Sequence, residues 1–228
     1  MWKKISEKIN SLLFPAFCFG CRQEGTYLCP DCQALLDISS VHNPYTGEYL
    51  DCLYFSVDYK NYLIKKIIKS FKYQPFIKDL SKTLADLIIS HFQLIDNKPD
   101  FFLNPENDIS NKNYILVPVP LDKQKLKKRG FNQAELLAKD MGSYLNFPIK
   151  KGCLIKIKKT FPQVGLDNRS RKDNLKSAFA IKEKEAVKNK NILLIDDVFT
   201  SGATLNECAK VLKRAGAKQV IGITVARG

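Results

Sequence analysis

The sequence predicts an α/β fold, a mostly parallel sheet flanked by helices, with a small cysteine-rich module ahead of it. Three observations carry that expectation. From residue 113 onward, apolar runs of strand length alternate with amphipathic stretches of helix length. Two C-x-x-C pairs stand close together near the N-terminus. The excess of positive charge is confined to one half of the chain. The 228 residues are 45% hydrophobic and 26% charged, which excludes wholesale disorder and any fibrous class. The net charge is +14, yet residues 1–50 carry −1, residues 51–112 carry +1 and residues 113–228 carry +14. The C-terminal half therefore attracts polyanions, and phosphate is the expected partner.

In chain order, residues 15–32 are rich in turns and cysteines. From Tyr62 to Tyr73, Leu63, Ile64, Ile67, Ile68 and Phe71 recur at helical spacing, and Lys65, Lys66, Lys69 and Lys72 take the other face. A second helix is expected from about Ile77 to Phe92, and the polar stretch 96–113 reads as a loop. Tyr114 to Val117 reads as a buried strand, Phe131 to Leu145 as a helix and Cys153 to Ile157 as a strand. Ile192 to Ile195 is a strand, Thr204 to Ala215 a helix and Val220 to Val225 a strand. Lys213 and Arg214, with Gly216 beyond them, mark the helix stop. No apolar run approaches the roughly 18 residues of a membrane span. Pro15 breaks the short apolar stretch that precedes the cysteines, so a leader is not expected and the reading is cytoplasmic. There thiols stay reduced and free to bind metal.

Cys18-Phe19-Gly20-Cys21 and Cys29-Pro30-Asp31-Cys32 are two knuckles seven residues apart. Each turn aims two thiolates at one point, and together they complete the tetrahedral four-cysteine set that Zn²⁺ accepts. All four positions are filled, so the expected ion is structural, and metal binding of about 10–16 kcal/mol can fold a segment too short for its own core. His42 and Cys52 are candidate further ligands, although single residues so spaced are more often structural. Cys153 and Cys208 read as core or helix residues.

The sharpest signal runs from Asn191 to Thr204: an apolar strand, the carboxylates Asp196 and Asp197, then Thr200-Ser201-Gly202-Ala203-Thr204 opening a helix. In open α/β sheets ligands bind beyond the carboxyl ends of the strands. The loop's N–H groups, the hydroxyls of Thr200, Ser201 and Thr204 and the helix N-terminus can surround a phosphate, with Gly202 allowing close approach. Carboxylates repel phosphate. They suit a ribose diol, or hold Mg²⁺ indirectly. A ribose carrying a 5′-phosphate fits both halves of the motif.

At these residues the sequence resembles the phosphoribosyltransferases of type I fold, with Ser201 in place of a commoner threonine. The resemblance implies phosphoribosyl pyrophosphate (PRPP) as ligand, with Asp196 and Asp197 on the ribose hydroxyls and Thr200 to Thr204 on the 5′-phosphate. Val117-Pro118-Val119-Pro120-Leu121, then Arg129-Gly130-Phe131-Asn132-Gln133, then Thr160, Gln163, Leu166, Arg171, Asn174, Ala178 and Phe179 narrow it further. With the double knuckle, they make the chain similar to the ComF family, competence-associated proteins of bacterial DNA uptake. On that resemblance, residues 1–50 are a four-cysteine zinc-binding module, 51–112 a helical hood or connecting region, and 113–228 a phosphoribosyltransferase-like core.

Roles follow. Val117, Pro118 and Val119 are expected to meet pyrophosphate through their backbone. Lys123, Lys125, Lys127, Lys128 and Arg129 put five cations into seven residues, read as a mobile basic loop that neutralises charge on a leaving group. Asp196, Asp197 and Arg129 are the candidate catalytic residues, and Mg²⁺ is expected to accompany PRPP. Arg171 and Asn174, three apart, suit a shared helix face, and Arg169 is expected in solvent.

No pattern names an acceptor, which leaves two readings. One is a PRPP-binding factor of DNA uptake that contacts single-stranded DNA through Lys66, Lys69, Lys127, Lys128, Lys158 and Lys159, with Phe161 a stacking group. Its implied partners are DNA-uptake helicase or recombination proteins, without membrane insertion. The other is a Mg²⁺-dependent transferase acting on an unidentified base or nucleotide.

Overall fold

A computed structural model describes residues 15–40, 47–103, 113–158 and 175–228. The elements are α1 (Pro30–Ala34), β1 (Cys52–Asp58), α2 (Tyr62–Lys72), α3 (Leu80–Leu94), α4 (Asp100–Leu103), β2 (Tyr114–Pro118), α5 (Lys123–Arg129), α6 (Gln133–Leu145), β3 (Leu154–Lys156), β4 (Phe179–Ile181), β5 (Asn191–Phe199), α7 (Ala203–Arg214) and β6 (Gln219–Arg227). Four strands form one sheet in the order β1-β6-β5-β2, and every neighbouring pair is parallel. β3 and β4 form a separate antiparallel pair.

Parallel strands carry their crossovers on the sheet faces, so both faces must be apolar. β5 shows this residue by residue. Leu193 and Ile195 face a core with Ile64, Ile67, Ile68 and Phe71 of α2, Leu84 and Ile88 of α3 and Leu137 and Met141 of α6. Ile192 and Leu194 face the opposite core with Leu205, Cys208, Ala209 and Leu212 of α7. Gly222 lets α7 approach, because a Cβ there would stand 3.1 Å from both Leu205 and Leu53.

Two elements depart from the expectations. Residues 51–112, read as a helical hood or connecting region, contribute the edge strand β1, with Cys52 to Asp58 pairing along Ile221 to Arg227. The basic run read as a mobile loop is the helix α5. Asp122 caps it by accepting from the N–H groups of Gln124 (3.0 Å) and Lys125 (3.3 Å), and Gly130 ends it at φ 78°. A cap and a left-handed stop outweigh the repulsion among exposed lysines. No helix among the described residues is long and apolar enough to cross a membrane.

Candidate functional site

All four strands end at the same edge. The register sets Pro118 beside Ile195, Asp196 beside Thr224, Phe199 beside Arg227 and Asp58 beside Arg227. Asp196 and Asp197 therefore stand at the carboxyl edge of the sheet, the place where ligands of such folds bind. The chain then turns through Thr200 and Ser201 to Gly202, whose φ of 75° is a left-handed value suited to glycine. Asn61, Asp122 and Asn132 close α2, α5 and α6 with side-chain hydrogen bonds, whereas α7 starts on Gly202 with none. The helix N-terminus is left open toward the loop, as an anion site requires. Thr200 is exposed, Ser201 and Thr204 are half-buried and Ala203 is buried.

Val117, Pro118 and Val119 lie on the neighbouring strand end, as expected. The backbone of Val119 is engaged on both sides: its N–H donates to the Ile195 carbonyl (2.9 Å), and its carbonyl accepts from Asn132 Nδ2 (3.0 Å). Its one donor is thus inside the protein, which leaves the second lone pair of the carbonyl as the backbone group Val119 can offer.

One cation pairs with the carboxylates, and two more lie within electrostatic reach of them. Lys72 Nζ, at the end of α2, lies 2.8 Å from Asp197 Oδ1, with the lysine side chain 22% and the aspartate side chain 8% exposed. Burial alone would lower the Lys72 ammonium, but the charges of Asp197 and Asp196 outweigh it and hold it above its ordinary value. Asp196 Oδ1 accepts the Asp197 N–H at 2.9 Å. Burial, and then the charge of Asp197, push the Asp196 carboxyl up to about 7 against the opposing pull of Lys72. Arg129, half-buried at the end of α5, lies 5.9 Å over the Tyr73 ring within electrostatic reach of Asp197, and burial draws it below its ordinary value. Lys156 of β3 stands 5.7 Å over Phe179, and burial and then the Lys125 charge lower it, with Asp122 and Asp196 opposing.

The structure therefore brings Asp196, Asp197, Arg129 and the Thr200–Thr204 loop to one edge. It adds Lys72, which helical periodicity places on the lysine face of Tyr62–Tyr73, and Lys156, within electrostatic reach of Asp196. Of the other lysines, Lys69, Lys127, Lys128 and Lys158 are exposed. Lys66 faces the cysteine module, where it donates to the Phe19 carbonyl (3.4 Å) and covers the Phe19 ring at 5.7 Å. His42, Lys159, Thr160, Phe161, Gln163, Leu166, Arg169, Arg171 and Asn174 lie outside the described residues.

The four cysteine sulfurs lie within 4.8 Å of one another. Cys29 Sγ is 3.7 Å from Cys18 Sγ and 3.5 Å from Cys21 Sγ. Metal–sulfur bonds of about 2.3 Å in a tetrahedron place sulfurs roughly 3.8 Å apart, so the set fits one ion. Pro30 starts α1, and Cys29 caps it by accepting the Cys32 N–H at 3.5 Å. Burial raises the Cys18 thiol, but hydrogen bonds from the backbone at Cys29, Cys21 and Gly20 outweigh it and bring it down to about 6. A thiolate is the form a metal takes. Cys52 lies apart on β1, and Cys153 and Cys208 are buried in the α7 side of the core.

The family model described as a phosphoribosyl transferase domain matches residues 126–228. Competence protein F of Haemophilus influenzae is 36% identical over 106 residues, 46% of each chain. DNA utilization protein YhgH of Escherichia coli is 35% identical over 105 residues, 46% of this chain and 45% of that one. Competence protein ComFC of Bacillus subtilis is 31% identical over 137 residues, 57% of this chain and 51% of that one. The chain spans about half the length of the curated relatives it matches. Among solved structures, a purine phosphoribosyltransferase from Pyrococcus horikoshii covers 66% of this chain and 82% of its own at 15% identity and a TM-score of 0.32, too distant to carry weight. The parallel sheet, its flanking helices and the matched domain make the fold type I phosphoribosyltransferase-like.

Proposed function

We propose that this chain, which belongs to the ComF family and carries a phosphoribosyltransferase domain, binds PRPP at the carboxyl edge of its sheet and serves DNA uptake. The observation that carries the ligand is the aspartate pair at the end of β5, followed by a glycine-containing loop that runs into a helix with no side-chain cap. Asp196 and Asp197 accept the ribose hydroxyls. Thr200, Ser201, Thr204 and the first N–H groups of α7 surround the 5′-phosphate. Arg129 balances charge on the pyrophosphate. Mg²⁺, when bound with PRPP, supplies charge neutralisation on the pyrophosphate oxygens. Replacing Asp196 and Asp197 together by asparagine removes the diol acceptors' charge, so PRPP-induced thermal stabilisation is expected to vanish. Stabilisation equal to wild type places the ligand elsewhere.

In this reading the cysteine cluster holds a structural Zn²⁺, since four soft ligands at tetrahedral spacing leave no open position. The role in DNA uptake takes its support from the competence and DNA-utilization relatives. Lys69, Lys127, Lys128 and Lys158 are exposed and offer single-stranded DNA a cationic surface. If about six phosphates are contacted, the logarithm of affinity falls with that of salt concentration at a slope near −0.7 per contact. A flat salt profile removes DNA contact from the proposal. Turnover to a base or nucleotide acceptor is the second reading, favoured by Arg129 at the carboxylates. Pyrophosphate release from PRPP across a panel of acceptors decides it.

A further inference from the structure

The end of α2 is clamped at the carboxyl edge by the last residue of α5 and those that follow it. Arg129 lies over the Tyr73 ring. Phe131 packs on Phe71 with ring centroids 5.7 Å apart, and Gln133 Nε2 donates to the Phe71 carbonyl at 3.3 Å in a buried setting. Asn132, between them, holds the Val119 carbonyl of the neighbouring strand end. The stretch Arg129-Gly130-Phe131-Asn132-Gln133 thus grips both neighbours of Lys72 and sets its ammonium on Asp197. α2 also starts beside Asp58, at the end of β1, and finishes at Asp197 on β5, so it crosses the sheet edge over β6. A helix so placed brings a cation from outside the phosphoribosyltransferase-like core to the ribose-binding carboxylates.

We infer that Lys72 is a positioning residue of the PRPP site: its ammonium fixes Asp197 and offsets the charge of the aspartate pair, so that a polyanionic sugar phosphate can approach two carboxylates. The inference rests on the PRPP reading above. Without Lys72, the diol acceptors present more negative charge to a ligand carrying phosphate and pyrophosphate, and Asp197 loses the contact that orients it. The groups facing the pair are Lys72 from α2, Arg129 from α5 and Lys156 from β3, and of these Lys72 forms the ion pair with Asp197 among the described residues.

A double-mutant cycle tests this, with PRPP affinity measured calorimetrically in the presence of Mg²⁺ for the full chain. Lys72→Met is expected to weaken PRPP by about tenfold or more, and Lys72→Arg to stay within about threefold of wild type. In an Asp197→Asn background, adding Lys72→Met is expected to cost clearly less than in wild type, under about threefold, because its ion-pair partner has gone and only the Asp196 charge remains to be offset. A merely structural lysine gives an equal loss in both backgrounds, and that outcome overturns the inference. So does wild-type affinity in Lys72→Met. Lys72→Gln takes its place if the methionine variant does not fold. If wild type binds PRPP and Lys72 proves silent, the PRPP reading stands and this inference falls. If wild type does not bind PRPP, both fall.

Discussion

Two polar clusters meet α2, one at its middle and one at its C-terminal end, and the chain treats them differently. Five residues separate Lys66, which serves the cysteine module, from Lys72, which serves the aspartate pair. Lys66 takes the Phe19 carbonyl rather than a sulfur, while Lys72 takes Asp197 directly. On the proposed reading, the cysteine cluster takes its cation from solution. The aspartate pair has a cation of its own. A cluster the chain leaves uncompensated is built to keep its ion, and one the chain compensates itself is free to exchange ligands.

The largest expected effect breaks the first half of that comparison. Cys18, Leu28, Cys29, Cys32 and Leu36 belong to the same core as α2 and α3, so the module is part of the fold and not an appendage. Cys18→Ser, or chelation, is expected to lower bound metal from one per chain and the melting temperature by about 10 °C or more. Metal analysis and calorimetry read both. A chelated chain that melts within about 2 °C of the metal-loaded one means the sulfurs need no cation.

The second prediction has the opposite sign. Asp196 has a folded-state value of about 7, above the ordinary carboxyl value near 4. Between those two values the native state holds a proton that the unfolded chain has released, so stability falls as pH rises through that window. Asp196→Asn removes the ionisation. It is expected to be more stable than wild type at pH 8 by roughly 1–3 kcal/mol, with the difference fading near pH 4, while PRPP binding is weakened. Denaturant unfolding at the two pH values checks it, and a less stable variant at pH 8 shows that the pair is not under electrostatic load.

The two clusters were legible to different depths. The cysteine spacing and the Asn191–Thr204 stretch are contiguous, so strand, carboxylates, loop and helix could be read locally. Their compensation could not. Helical periodicity places Lys66 and Lys72 opposite the apolar stripe, yet it says nothing of what covers that face; Lys72 follows Ile68 by one turn, a sign that it borders the stripe. β1 escaped notice because its partner β6 lies about 170 residues away, so nothing local shows what pairs with it. α5 was hidden by its lysines, although Asp122 and Gly130 bracket it as cap and stop. Such bracketing outranks charge as evidence for a short helix.

The smallest expected effect sharpens the contrast most. If Lys66 only fastens the knuckle to α2 through the Phe19 carbonyl and ring, Lys66→Met removes one hydrogen bond and one cation–ring contact while keeping most of the stem packing. The expected cost is about 0.5–1.5 kcal/mol, a drop of a few degrees in melting temperature, with metal content and metal affinity unchanged. Competition with a chromophoric chelator measures that affinity. A Lys66→Met chain that binds metal more tightly would mean the ammonium had been competing for the sulfurs' charge, which makes the two lysines equivalent and removes the distinction between the clusters. Unchanged affinity, beside a large effect of Lys72 on PRPP, leaves one helix with two lysines of different kinds: one a fastening, the other part of a binding site.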